Sequence, residues 1–313
     1  MMTRIVAPSR LHFGLFHVPT GGEQLPGERA FGGVGLMIDT PGVVVSARPA
    51  EMWQFEGPLA SRAQSFAIQF MQTLPETNRQ PFQVLVERCP TEHTGLGVGT
   101  QLGLAVAKAL AVGTGLSNSA SIALATRIGR GERSAVGVYG FDRGGLLVEK
   151  GKLPGEDLSP IVSHTNLPDS WRVVLLIPPS PTDWHGSQER LAFATATSGN
   201  REALQRLADN AILPAARAGD LVTFGDAVHE FNRLAGEPFA ANQGGCYASP
   251  AIAELIANLR QLGIRGVGQS SWGPTVFAIV GDSESALSLV RRFRNRLPVF
   301  VARVSAGHRA ERQ

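Results

Sequence analysis

The sequence predicts two domains of mixed α and β layers, an α/β or α+β chain. Three observations carry this. The 313 residues are 43% hydrophobic and 18% charged, enough for a substantial core and more than one compact core usually serves. Strand-length runs of β-branched and aromatic residues alternate with helix-length apolar patterns in both halves, which argues against a helical bundle or a sandwich. A polar, proline-marked stretch at 154–170 separates the halves, giving an N-terminal domain at 1–165 and a C-terminal domain at 166–313.

In the first half, strands are expected at 4–6, 43–47 and 82–88, each ended by proline or glycine. Helices fit 61–72, 101–112 and 119–128, and a strand resumes at 144–149. The second half opens on a buried strand at 171–177 and continues with helical patterns at 201–218, 221–234 and 250–262. It closes on strands at 275–280 and 299–304 around a helix at 284–295, with a short polar tail from 308.

Charge and cysteine content narrow the function. Twenty-nine basic against 26 acidic residues leave +3, with the two signs interspersed. That pattern suits anionic metabolites and gives no nucleic-acid surface. Cys89 and Cys246 are far apart and form no CxxC pair, so neither a disulfide scaffold nor a thiolate zinc site is indicated. The apolar runs at 102–112 and 173–179 are too short to cross a bilayer. The N-terminus lacks the apolar stretch of a signal peptide, and a reducing cytoplasm is the expected compartment.

The most informative segment is Gly95-Leu96-Gly97-Val98-Gly99-Thr100-Gln101, between a strand and a helix apolar on nearly every face. Its glycines can bring backbone N–H groups to an anion at the positive end of a helix dipole, and Thr100 and Gln101 add side-chain hydrogen bonds there. The spacing is not that of a Rossmann fingerprint, and the Lys-Ser/Thr of a P-loop is missing. A plain helix cap satisfies the same pattern. A second cluster, Gly268-Gln269-Ser270-Ser271-Trp272-Gly273-Pro274, is a donor-rich turn before a strand, suited to phosphate or carboxylate oxygens or simply to a β-turn with a half-buried indole. In the third, Pro8-Ser9-Arg10-Leu11-His12, alternation puts Arg10 and His12 on one strand face. There Arg10 can clamp an anion and His12 can exchange a proton. Glu189, in the segment Asp183-Trp184-His185-Gly186-Ser187-Gln188-Glu189, is a candidate acid, base or magnesium ligand, or the dipole-favoured carboxylate of a helix start. Asp142-Arg143 reads as a turn, and His185 and His229 have no metal-ligand spacing to one another.

In order and spacing the three clusters resemble the three motifs of the GHMP kinase superfamily. The loop at 93–101 with the turn at 268–275 is similar above all to its β-ribofuranosylaminobenzene 5'-phosphate synthase branch, over about residues 4–303. The resemblance implies a GHMP-kinase-like fold, with an N-terminal βαβ-type domain carrying the phosphate loop and a C-terminal ferredoxin-like domain. It also implies condensation of phosphoribosyl pyrophosphate with 4-aminobenzoate or 4-hydroxybenzoate, with loss of carbon dioxide and pyrophosphate. That reaction begins tetrahydromethanopterin biosynthesis, and magnesium and a homodimer go with it. Catalytic roles would fall to Arg10, His12, Thr100, Gln101 and Glu189, and substrate contacts to Ser9, Gly95, Leu96, Gly97, Gly99, Ser270, Ser271, Trp272 and Gly273. The chain departs from the kinases in two places. Gly99-Thr100-Gln101 stands where the kinases carry Ser-Ser-Ala, whose second serine helps hold Mg-ATP, and Ser134-Ala135-Val136-Gly137 lacks the aspartate that serves them as base. An ATP-dependent small-molecule kinase would need Asp142 or Glu189 instead. A non-catalytic metabolite-binding protein of the same fold is the third reading.

Overall fold

The computed structural model describes residues 1–19, 24–179 and 187–312, the side chains of 187–190 excepted. A seven-stranded sheet forms the first layer. Its strands are β1 (Thr3–His17), β2 (Phe31–Pro49), β3 (Gln54–Glu56), β4 (Phe82–Arg88), β5 (Leu146–Glu149), β6 (Ile161–Thr165) and β11 (Arg309–Arg312). The main path runs β11-β1-β2-β4-β3, with β5 and then β6 continuing from the other part of β2. Against this sheet lie α1 (Ala60–Gln72), α2 (Val98–Gly113) and α4 (Val136–Arg143), and α3 (Ser121–Arg127) packs on these helices. The βαβ unit occurs once, where β3 and β4 pair in parallel across α1. The other pairings of this sheet are antiparallel.

The second sheet has the order β10-β7-β9-β8, from β7 (Arg172–Leu176), β8 (Gly266–Gln269), β9 (Val276–Val280) and β10 (Val299–Ala302). Numbered within that half, the order is 4-1-3-2, as in a ferredoxin-like layer. Between β7 and β8 come α5 (Ser187–Ala194), α6 (Arg201–Leu207), α7 (Leu213–Ala218), α8 (Leu221–Gly236), α9 (Ala240–Gln243) and α10 (Pro250–Gln261). The last helix, α11 (Ser283–Phe293), joins β9 to β10. A π-helical turn at Ala208–Ile212 links α6 to α7.

One hydrophobic cluster is shared by both sheets: Leu11, Phe13, Val34 and Leu36 pack with Val173, Leu175, Phe277 and Ile279, and with Phe224 and Phe231 of α8. A second fills the space between α1, α2 and strands β1, β2 and β4, and a third joins α10 and α11 to the second sheet. Both cores converge on the start of α2, because Leu96 and Val98 belong to the first and Leu102 and Leu104 to the second. α8 packs on β1 and on β8, and so carries its own residues to the seam.

Several segments are longer than the sequence pattern predicts. β1 and β2 extend well past 4–6 and 43–47 because the rest of β1 and residues 32–38 of β2 are buried largely on both faces, which removes the alternation by which a half-buried strand is read. The stretch at 154–170 contains β6, paired with β5, and is not simply a connector. Asp142 and Arg143 close the helix α4 and are not a turn before a strand. The polar tail pairs with β1 as β11. No described helix is long and apolar enough to cross a membrane.

Candidate functional site

The three sequence clusters meet at the seam. Arg10 N–H on β1 donates to the Leu96 carbonyl at 2.9 Å, and Ser271 N–H donates to the His12 carbonyl at 3.0 Å. The Ser270 hydroxyl donates to the Gly95 carbonyl at 2.7 Å, and the His12 N–H donates to that hydroxyl oxygen at 3.1 Å. Gly95 and Gly97 have φ of 84° and 70°, the left-handed region that glycine alone enters freely. The approach is also too close for side chains. A Cβ on Gly95 would lie 2.1 Å from the Ser270 carbonyl oxygen, and one on Gly273 would lie 2.0 Å from the Thr94 carbonyl carbon. Loop and turn are therefore packed backbone on backbone, with Gly97 as the N-cap of α2.

Two adjoining cavities open around this junction, of about 320 and 240 Å³. Arg10, Thr100, Arg130, Ser271 and Trp272 line both. The smaller one is cationic. Arg62 and Arg130 lie over the Phe66 ring, with their guanidinium carbons 5.9 and 4.9 Å from its centroid. Both reach the first turn of α2, where a Cβ on Gly99 would lie 2.5 Å from an Arg62 nitrogen and 3.2 Å from one of Arg130. Arg62 is ion-paired to Glu92. Burial lowers the pKa of both arginines, and their mutual repulsion lowers that of Arg130 further. Two partly desolvated cations beside the positive end of a helix make a strong site for a polyanion.

The larger cavity has an aromatic wall. Trp272 stacks on Phe193 at 5.4 Å and 8°, Phe239 meets Trp272 edge-on at 4.5 Å, and the Arg133 guanidinium lies 4.7 Å over Phe193. Asn232 fixes the neighbouring backbone, donating to the Phe13 and Gln269 carbonyls at 2.6 and 2.8 Å. His12 is 4% exposed. Burial, reinforced by the Arg10 charge, holds its pKa well below the ordinary 6.5, so the ring is neutral at pH 7.

Arg10, His12, Thr100, Ser271 and Trp272 line the larger cavity, and Gly95, Leu96, Gly97, Gly99 and Gly273 the smaller. Three of the residues singled out from sequence face elsewhere. The Ser9 hydroxyl donates to the Pro41 carbonyl, away from the cleft. Gln101 is fully buried and donates to the Gly137 carbonyl at 2.8 Å, so it ties α2 to α4. Ser270 holds loop and turn together with its hydroxyl. Asp142 accepts from the Ser121 N–H at 2.8 Å and lines neither of these two cavities. The side chains of Glu189, Asp183 and His185 lie outside the described residues. Arg62, Glu92, Arg130, Arg133, Asn232 and Glu149 carry no local signal, each lying in a segment that reads as an ordinary helix, strand or loop. Among the described residues no group of three or more His, Cys, Asp or Glu is placed to hold a metal ion.

Residues 212–299 match the family model described as GHMP kinases C terminal. The whole chain resembles homoserine kinase from Cytophaga hutchinsonii, with a TM-score of 0.70 and 14% identity over 99% of this chain and 97% of that one. At that identity the likeness is one of fold. A β-ribofuranosylphenol 5'-phosphate synthase from Methanothermobacter thermautotrophicus is 28% identical over 89% of this chain and 88% of its own length. Its counterpart from Archaeoglobus fulgidus is 30% identical over 91% and 90%. The chain belongs to this synthase family. The GHMP-kinase-like fold expected from the sequence is likewise borne out. The candidate site in this chain is a cleft of two adjoining cavities, the smaller cationic and the larger walled by Phe193, Phe239 and Trp272.

The His12 shift has a consequence for stability. Its folded pKa lies below the unfolded value, so the unfolded chain takes up the proton first as pH falls. The contribution is complete above about 6.5 and is lost as pH drops toward the folded value. His229 and His308 are shifted in the same direction, and buried Glu149, whose pKa is raised by burial, acts in the opposite one. Urea unfolding below pH 6.5 should show stability falling with acid, less steeply in His12→Gln. An unchanged slope would mean that the ring titrates normally.

Proposed function

We propose that the chain transfers a phosphoribosyl group from phosphoribosyl pyrophosphate to the carboxylate-bearing carbon of a 4-substituted benzoate, releasing pyrophosphate and carbon dioxide. The observation that carries this reading is the division of the cleft into a cationic glycine-loop half and an aromatic half that share Arg10 and Trp272. The diphosphate lies at the start of α2 between Arg62 and Arg130, and the benzoate ring lies along Trp272. The bond from the anomeric carbon to the diphosphate breaks, and its electron pair leaves with pyrophosphate. Loop amides and the two arginines stabilise that charge as it develops. The ring carbon supplies electrons for the new carbon–carbon bond, and the bond to the carboxylate breaks to restore the aromatic ring as carbon dioxide departs. Arg10, common to both halves, orients the carboxylate where the two carbons must meet.

The relatives' name favours 4-hydroxybenzoate as acceptor, because loss of its carboxylate leaves a ribofuranosylphenol; 4-aminobenzoate would give the aminobenzene analogue. In this reading the product opens tetrahydromethanopterin biosynthesis, and magnesium enters as the counter-ion of the diphosphate. A kinase finds no support at Asp142, whose carboxylate caps α3.

Mass spectrometry of mixtures containing phosphoribosyl pyrophosphate, magnesium and each benzoate tests the proposal, with ATP and a panel of alcohols as the control. The expected result is a phosphoribosylated ring lacking the carboxyl group, with pyrophosphate in equal amount and no phosphorylation by ATP. Asp142→Asn should leave that turnover within about twofold, as expected for a residue outside the cleft. A phosphorylated alcohol, or an intact benzoate after prolonged incubation with both acceptors, would defeat the synthase reading.

A further inference from the structure

His12 is held from behind by residues the sequence does not mark. Its Nε2 lies 3.1 Å from the Ser134 hydroxyl, whose oxygen lies 2.5 Å from Glu149 Oε1. The Ala135 N–H donates to the other carboxylate oxygen at 2.7 Å. Glu149, at the end of β5, has no exposed surface, whereas His12 and Ser134 line the larger cavity. A hydroxyl between an imidazole and a carboxylate allows two consistent proton arrangements. If Ser134 donates to Glu149, its oxygen accepts from the His12 Nε2–H and Nδ1 keeps a lone pair. If Glu149 is the donor, both bonds reverse and Nδ1 carries the proton.

We infer that Ser134 and Glu149 are positioning residues that set the tautomer of His12, keeping its proton on Nε2. The donors around the carboxylate decide the direction. The Ala135 N–H can only donate and points its hydrogen at Glu149, and the Ser159 hydroxyl is a further hydrogen-bond partner of that carboxylate. Gly151 N–H donates to Ser159 Oγ at 2.8 Å, which leaves the Ser159 hydrogen free for the carboxylate. Burial pushes the Glu149 pKa up, while the hydrogen bonds it accepts and the Arg10 charge favour the ionised form. A neutral His12 with a lone pair on Nδ1 then offers the cleft an acceptor beside the Arg10 donors. Its use in turnover rests on the synthase reading; the tautomer does not.

The test reads imidazole ¹⁵N shifts in the full-length protein, with the His12 signals identified by their loss in His12→Gln. Wild type is expected to show His12 protonated at Nε2. In Glu149→Gln the Ala135 N–H claims the carboxamide oxygen, which turns the NH₂ toward Ser134 and reverses both bonds, so His12 should move to the Nδ1–H form. Ser134→Ala should leave a mixture, and Ser134→Thr, which keeps the hydroxyl, should restore Nε2–H. Circular dichroism identifies folded variants, and if Glu149→Gln does not fold the two Ser134 variants decide. Wild-type Nδ1–H, or Nε2–H that persists in Ser134→Ala, would overturn the inference. If the synthase assay is positive, Ser134→Ala should lower kcat about tenfold or more, with the KM for phosphoribosyl pyrophosphate changed less than about twofold. Equal loss in Ser134→Thr would reduce Ser134 to a packing role. A negative synthase assay leaves the tautomer measurement standing, so the two failures are distinguishable.

Discussion

Gly273→Ala is expected to destabilise the protein by roughly 3 kcal/mol, because the new methyl group would meet backbone that has nowhere to go. It would lie 2.0 Å from the Thr94 carbonyl carbon and 2.1 Å from the Gly95 nitrogen, and relief requires loop and turn to part. That separation also removes the Ser270 bond to Gly95 and the neighbouring bonds to β1. Gly99→Ala is the matched control. There the new carbon meets only the ends of the Arg62 and Arg130 side chains, and alanine favours the helix. Urea denaturation should show a lowered midpoint for Gly273→Ala and one close to wild type for Gly99→Ala. Equal midpoints would mean that the seam relaxes more readily than its packing implies.

The largest effect on ligand binding is expected from the two arginines over Phe66. Arg130→Met and Arg62→Met should each weaken pyrophosphate and phosphoribosyl pyrophosphate about ten- to a hundredfold, the value of a charge-assisted hydrogen bond of roughly 1.5–3 kcal/mol. Methionine keeps much of the side-chain packing while removing the charge. Because the residues adjoin one site and repel one another, the double variant should lose less than the product of the single losses. Benzoate affinity should change far less in Arg62→Met, since Arg62 lines only the smaller cavity whereas Arg130 lines both. Isothermal titration with pyrophosphate, run beside a benzoate titration, separates these outcomes. Undiminished pyrophosphate binding in both variants would place the diphosphate elsewhere in the cleft.

These arginines show where the sequence is legible and where it is not. The glycine loop, the donor-rich turn and the strand bearing Arg10 announce themselves because each needs unusual residues in a local pattern, and they meet in the cleft. Arg62 lies on an amphipathic helix and Arg130 in a loop; their roles arise only when α1 and the segment after α3 close over Phe66. Ser9 and Gln101 are the converse case. Both sit inside motifs, yet their polar atoms satisfy buried backbone carbonyls, a demand that folding imposes and a local pattern does not reveal. Helices with strong periodicity, such as α1, α8 and α10, are read closely from sequence. β1 and β2 are read only at one end, since burial on both faces leaves no alternation to find.

The backbone contact between loop and turn also bears on how the protein is made. The Ser270 hydroxyl bond to Gly95 spans 175 residues, and the bond it accepts from His12 spans 258. Contacts that distant give nothing until the intervening chain is ordered, so the entropy of closing those loops is spent before the cleft returns any of it. A growing chain released only as far as β8 carries the glycine loop and its arginines without the opposing wall. The cleft is therefore a late product of folding, and a ligand that spans both halves can select only molecules that have finished.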